Sequence, residues 1–136
     1  MITVENILHK HGLKGTSCRK FIISRMLDSD VAVSEKDIKG VDGDLFDRVT
    51  FYRTLRTLEE HEIIHKIVLN DNTVKYALNN HHGKDESLHS HFHCEVCDDV
   101  FCMDGKTYFE AELPENFVRH DVYVVIEGIC ADCNAH

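Results

Sequence analysis

The sequence predicts an α+β chain in two parts: a helical N-terminal part closed by a β-hairpin, then a small α/β part stapled by cysteines. Three observations carry this. Apolar residues recur at helical spacing in the first sixty residues, and two short strand-like runs follow around an Asn-Asp-Asn turn. A Cys94-x-x-Cys97 pair is matched by Cys130-x-x-Cys133 near the C-terminus. Charge divides the chain: residues 1–80 carry 12 Lys+Arg against 12 Asp+Glu, while residues 81–136 carry 3 against 12, the whole of the formal net charge of −9.

In the first part, Val4, Ile7, Leu8 and His11 fall on one helical face over residues 3–11, and Gly12 ends that helix. Leu13-Lys14-Gly15 is a linker. Phe21, Ile22, Met26 and Leu27 mark a second helix from Ser17 to Asp28, with Cys18 in its first turn as a packing residue. Ser34-Glu35-Lys36-Asp37 opens a short third helix with a cap and an early acid. Asp47 caps the fourth, which runs to about His61.

That fourth helix has two faces. Phe51, Leu55 and Leu58 are spaced to meet a core. Val49, Tyr52, Arg53 and Arg56 share another face, which is either ordinary solvated surface or a face for a DNA major groove. Arginine can grip guanine edges or phosphates, and tyrosine can touch a thymine methyl. The next segment favours DNA. Ile63–Leu69 and Thr73–Leu78 read as two strands around Asn70-Asp71-Asn72. Helices, a candidate recognition helix and a hairpin make a winged helix-turn-helix.

The boundary falls near Asn79-Asn80, giving a winged-helix domain over 1–79 and a second domain over 80–136, with a hinge at about 79–90. The second domain holds a short strand, the Cys94–Cys97 knuckle, a strand over Asp99–Met103, a helix over Lys106–Glu112 and a long strand over Phe117–Ile126. A long strand in a small sheet commonly pairs across a two-fold axis, which predicts a homodimer.

With 136 residues and 43 % hydrophobic content the chain can build a core. It has no apolar run near 18 residues and no apolar N-terminal signal segment, so a soluble cytoplasmic protein with no membrane partner is expected. In that reducing compartment six cysteines point to metal rather than to disulfides. Each C-x-x-C turn aims two thiolates at one ion, and two such turns complete a closed four-sulfur zinc site. The acidic balance weighs against binding nucleic acid through global charge, although the arginines of the first part can still form a local positive face.

Four stretches, in order along nearly the whole chain, resemble the ferric uptake regulator (Fur) family of bacterial metal-responsive repressors. Gly12-Leu13-Lys14-Gly15-Thr16 with Arg19 resembles the family's opening. Val49-Thr50-Phe51-Tyr52-Arg53 looks like its recognition-helix signature. His89-x-His91-Phe92-x-Cys94-x-x-Cys97 looks like its H-x-H-x-x-C-x-x-C core, and Glu127-Gly128-Ile129-Cys130-x-x-Cys133 is similar to its C-terminal end. The resemblance implies a homodimer with a structural zinc on Cys94, Cys97, Cys130 and Cys133. It implies that Tyr52 and Arg53 read a double-stranded DNA operator, with Lys14 reaching the minor groove.

The family also implies a sensory metal site at the hinge, and here the sequence departs from the iron-type pattern. Ala32, Ala77 and Cys102 stand where iron sensors commonly carry a histidine, an acidic ligand and a carboxylate. His65, His89, His91 and Cys102 remain, and a histidine at the position of His65 resembles the ligand of zinc uptake regulators. Three imidazoles and a thiolate suit tetrahedral zinc better than octahedral iron or manganese. Against this, His65 can be read as an exposed wing residue and Cys102 as a packed strand residue. His81, His82 and His93 are either extra ligands or solvated loop residues, with the solvated reading favoured, and His120, which could join a further site, is left unassigned.

Iron or manganese sensing and peroxide sensing through a thiol are alternatives inside the family. Outside it stand a four-cysteine redox carrier and a partner-binding zinc module. The second would leave the Tyr52/Arg53/Arg56 face unexplained. A zinc enzyme is disfavoured, because the chain has no H-E-x-x-H and no H-x-E paired with P-C-x-x-C.

Overall fold

The structure is a computed structural model. It describes residues 2–40, 45–79, 88–103, 112–120 and 122–135, with the side chains of Leu88 and His89 outside that description. The chain divides into two compact units, Met1–Asn80 and His81–His136. No described helix is long and apolar enough to cross a membrane.

The first unit holds α1 (Val4–Lys10), α2 (Ser17–Leu27), α3 (Glu35–Lys39), α4 (Arg48–Glu60), β1 (Ile64–Val68) and β2 (Val74–Leu78). A side-chain oxygen caps each helix: Thr3, Thr16, Ser34 and Asp47 all accept from a backbone N–H in the first turn. At α3 the cap is reciprocal, since Asp37 also accepts from the Ser34 N–H.

α1 closes with Gly12 in the left-handed region, where the Leu13 N–H reaches the Leu8 carbonyl at 2.9 Å. α4 closes the same way with Glu62 at φ 58°, a position where the sequence offers no glycine to mark the stop.

Leu8, Ile22, Ile23, Met26, Ile38, Phe51, Leu55 and Leu58 form one core with Ile63 and Ile64 of the hairpin. Fully burying one such side chain is worth about 1.5–3 kcal/mol. Cys18 packs in this core, where burial pushes its thiol above the usual range. β1 and β2 pair antiparallel from Ile64↔Leu78 to Val68↔Val74. Val33 adds a short bridge to Tyr76 through two backbone bonds of 2.8 and 2.7 Å. Helices plus a hairpin wing anchored through Val33 make this unit a winged helix-turn-helix.

The second unit contains β3 (Leu88–Cys94), β4 (Val100–Met103), β5 (Val122–Gly128) and the short α5 (Ala131–Asn134). The sheet order is β4-β3-β5, with β3 antiparallel to β4 and parallel to β5. β5 starts later than the expected Phe117. Its ladder begins at Leu88↔Val122, the first residue of β3, so residues 117–120 precede the partner strand and run irregular and exposed. The expected helix over 106–112 falls outside the described residues except at Glu112, which is not helical.

Candidate metal centres and nucleic-acid interface

The clearest constellation lies in the second unit. Cys94 ends β3, a tight turn brings Cys97 back, and Cys130 and Cys133 flank the start of α5 just after β5. Since β3 and β5 are neighbours, the two pairs meet, and all four sulfurs lie within 4.8 Å of one another. The turn is held by two backbone bonds between Cys94 and residues 98 and 99, both 2.9 Å, and by Asp98 at φ 67°. The Glu95 N–H reaches the Gly128 carbonyl at 2.8 Å and ties the first knuckle to the second.

The sulfur geometry suits a metal rather than a disulfide. Cys97 Sγ and Cys130 Sγ are 3.9 Å apart. A disulfide needs about 2.05 Å, whereas sulfurs at tetrahedral angles, each about 2.3 Å from zinc, stand about 3.8 Å apart.

The backbone favours charge on one sulfur first. N–H groups of Cys130 and Cys97 point at Cys94 Sγ from 3.4 and 3.5 Å and pull its thiol down to about 6. Hydrogen bonding with Cys130, then burial and the other two sulfurs, push Cys133 up to about 12. Four thiolates this close repel one another, and a dication removes that obstacle. These four residues could hold a metal ion.

The expected sensory ligands lie in both units. In the second, His91 of β3 stands directly across the ladder from Cys102 of β4. His91 is 3 % exposed. Cys102 is exposed on its strand, while desolvation pushes its thiol up to about 11. His89 sits two positions before His91 in the same strand.

In the first unit His65 lies on β1, opposite Ala77. Its Nδ1 meets Asn79 Oδ1 at 2.5 Å, while Asn79 Nδ2 donates to the Glu62 carbonyl at 2.6 Å and so fixes the amide's orientation. A ring donating through Nδ1 carries its lone pair on Nε2, the form a metal ligand needs. Asn79, read from the sequence only as a boundary, is thus the residue that orients His65.

The α4 face divides as its periodicity predicts. Phe51, Leu55 and Leu58 are buried, while Val49, Tyr52, Arg53 and Arg56 are exposed. Lys14 is exposed in the α1–α2 linker, and its carbonyl accepts from Arg19 Nη1 at 3.0 Å.

One residue differs from its sequence reading. His93 is not a solvated histidine but a bridge: Nε2 meets Asp98 Oδ1 and Nδ1 meets Glu127 Oε2, both at 2.6 Å. The bond to Asp98, then the bond to Glu127, raise its pKa, and it joins the knuckle turn to β5. The partners lie 5 and 34 residues away, a separation at which sequence carries no pairing signal. His120 is exposed in the irregular segment before β5, and His81 and His82 lie outside the described residues.

Known proteins are similar to this chain in sequence and in fold. The sequence model of the ferric uptake regulator family matches residues 10–112. The ferric uptake regulation protein of Campylobacter upsaliensis is 27 % identical over 142 residues, covering 96 % of this chain and 86 % of that protein. A zinc uptake regulator solved in complex with zinc and DNA aligns over 96 % of this chain and 90 % of its own, with TM-score 0.69 and 23 % identity. The ferric uptake regulator of Helicobacter pylori aligns over 98 % and 95 %, with TM-score 0.58 and 20 % identity. The match to the family model across most of the chain, on a winged helix followed by a sheet that gathers four cysteines, shows that this chain belongs to the ferric uptake regulator family of metal-responsive transcriptional regulators and is not an enzyme.

Proposed function

We propose that the protein is a cytoplasmic, homodimeric repressor that senses zinc and binds a double-stranded DNA operator in front of metal-uptake genes. The pairing of His91 with Cys102 across β3 and β4 carries the choice of metal. It sets an imidazole beside a thiol at a position where the iron-type pattern has a carboxylate, and a nitrogen–sulfur donor set favours zinc over the harder iron and manganese. The sensory ligands are His65, His89, His91 and Cys102, and the structural zinc belongs to Cys94, Cys97, Cys130 and Cys133. Residues 1–79 form the DNA-binding domain, with Lys14, Tyr52, Arg53 and Arg56 on the DNA, and residues 80–136 form the dimerisation domain. Among the described residues β5 is an edge strand with Tyr123 and Ile126 exposed, the kind of edge a second copy covers.

A bound zinc ion would supply a fixed link between ligands of the wing and ligands of the second domain. His65, oriented by Asn79, would hold the ion from the wing, and His89, His91 and Cys102 would hold it from the second domain. The chain thereby favours the domain arrangement in which two recognition helices reach successive major-groove faces. Binding of effector and of operator must strengthen each other by the same factor.

Metal analysis combined with selection of duplexes from a random pool tests this reading. The expected result is two zinc ions per protomer, one removed by mild chelation, and DNA selection that disappears with it and returns with zinc. Selection restored by ferrous or manganous ions and not by zinc would make the protein an iron or manganese sensor. One rival is peroxide sensing by oxidation of the Cys102 thiol, which is exposed on its strand but pushed up to about 11 by desolvation. Loss of DNA binding in dilute peroxide, reversed by reductant at constant zinc content, would support that rival instead.

A further inference from the structure

Tyr52 does not stand alone on the α4 face. Its hydroxyl donates to Glu35 Oε1 of α3 at 2.5 Å, and Lys39 Nζ donates to the same oxygen at 2.8 Å. The Tyr52 ring lies near two cations, with Lys39 Nζ 5.5 Å and the Arg48 guanidinium carbon 5.7 Å from its centroid. Lys39 also sits over Phe51, 4.8 Å from that centroid. Burial alone would raise the Glu35 pKa, but hydrogen bonds from Lys39 and Tyr52 hold it below the usual range, while the bond to Glu35 raises the tyrosine. Glu35 is therefore an ionised acceptor, and Tyr52 a neutral donor.

A carboxylate beside a DNA-reading helix is unexpected on electrostatic grounds, because it repels phosphate. We propose that Glu35 is a positioning residue for operator recognition: it fixes the Tyr52 ring in its reading orientation while opposing non-specific attachment to DNA. This rests on the assignment of the α4 face to DNA. An unclamped tyrosine must lose rotamer freedom when it docks; here the hydroxyl anchor and the flanking cations have already removed it. The carboxylate should thus act with opposite sign on the two kinds of binding, strengthening the specific and weakening the non-specific.

The test uses the full-length, zinc-loaded protein. The probes are a duplex selected by the wild type from a random pool and a scrambled duplex of equal composition, both read by fluorescence anisotropy. Glu35→Ala should weaken binding to the selected duplex by about fivefold or more, the weight of one lost hydrogen bond, and tighten binding to the scrambled one. Glu35→Gln, which keeps an oxygen for the tyrosine hydroxyl, should restore most of the selected-duplex affinity. Tyr52→Phe should lose selected-duplex affinity like Glu35→Ala without the gain on the scrambled duplex, and adding Glu35→Ala to it should cause no further loss.

Tighter binding of both duplexes by the same factor in Glu35→Ala would overturn the proposal, leaving Glu35 as plain repulsion. Arg53→Ala separates this failure from failure of the parent reading. If Arg53→Ala keeps wild-type preference for the selected duplex, the α4 assignment falls and the proposal falls with it. If Arg53→Ala loses that preference while Glu35→Ala keeps it, only the role of Glu35 is refuted.

Discussion

Gly128 lies so close to Phe92 that a methyl group on its Cα would stand 3.0 Å from the ring's Cζ. The two residues belong to paired strands, β5 and β3, and each strand leads directly into a cysteine pair. The Gly128 carbonyl also accepts the Glu95 N–H that ties the first knuckle to the second. Gly128→Val should push β5 from β3, destabilise the second unit by about 1–3 kcal/mol, and speed metal loss from the four-cysteine site. Chelator-driven release monitored alongside thermal unfolding checks this; unchanged release in the folded variant would show that the close approach does not set the sulfur geometry.

Cys130→Ser should remove the tightly held metal and with it the dimer. Cys130 contributes a sulfur, and its N–H also supports the thiolate of Cys94. The binding energy of a closed thiolate site is part of the folding energy of the unit that carries it. Sedimentation with metal analysis reads both quantities at once. A metal-free Cys130→Ser protein that sedimented as a stable dimer would contradict the structural role.

Arg53→Ala should abolish operator selection and leave fold and metal content intact, since Arg53 is exposed and outside the core of the first unit. One good arginine–guanine contact carries roughly 1–3 kcal/mol of discrimination, and a two-fold dimer loses it twice. Binding of the wild-type-selected duplex at unchanged strength would show that another face reads DNA.

Local signals made most of the first unit legible. Ser34 and Asp47 announce helix starts because a short side chain can bond only to the N–H groups next to it, and the caps at Thr3 and Thr16 follow the same rule although the sequence reading does not single them out. Phe51, Leu55 and Leu58 announce a buried face because the helical repeat is fixed. The late start of β5 was not legible, because a strand begins where its partner begins and Leu88 lies 34 residues away. The candidate sites split in the same way. The C-x-x-C spacing states its own chemistry, whereas Asn79 orienting His65, Glu35 anchoring Tyr52, and His93 bridging Asp98 and Glu127 join residues that only the fold brings together.

The register His91↔Cys102 leads to the most discriminating prediction, that Cys102 is a ligand of the sensory ion. Cys102 is exposed on β4 and serine is close to it in size, so the replacement removes a sulfur with little change in packing. With the four-cysteine site already filled, cobalt added as a visible stand-in for zinc should enter a tetrahedral site with a sulfur-to-metal charge-transfer band. Cys102→Ser should erase that band, weaken zinc-dependent DNA binding by tenfold or more, in the range of about 1.4 kcal/mol and upward, and spare the structural metal. Cys102→Asp should move preference toward iron and manganese, because a carboxylate oxygen is a harder donor than a thiolate. Weak octahedral cobalt absorption that is the same in wild type and Cys102→Ser would remove Cys102 from the ligand set. The preference for zinc would then have to come from the histidines alone, a donor set that iron and manganese can also use.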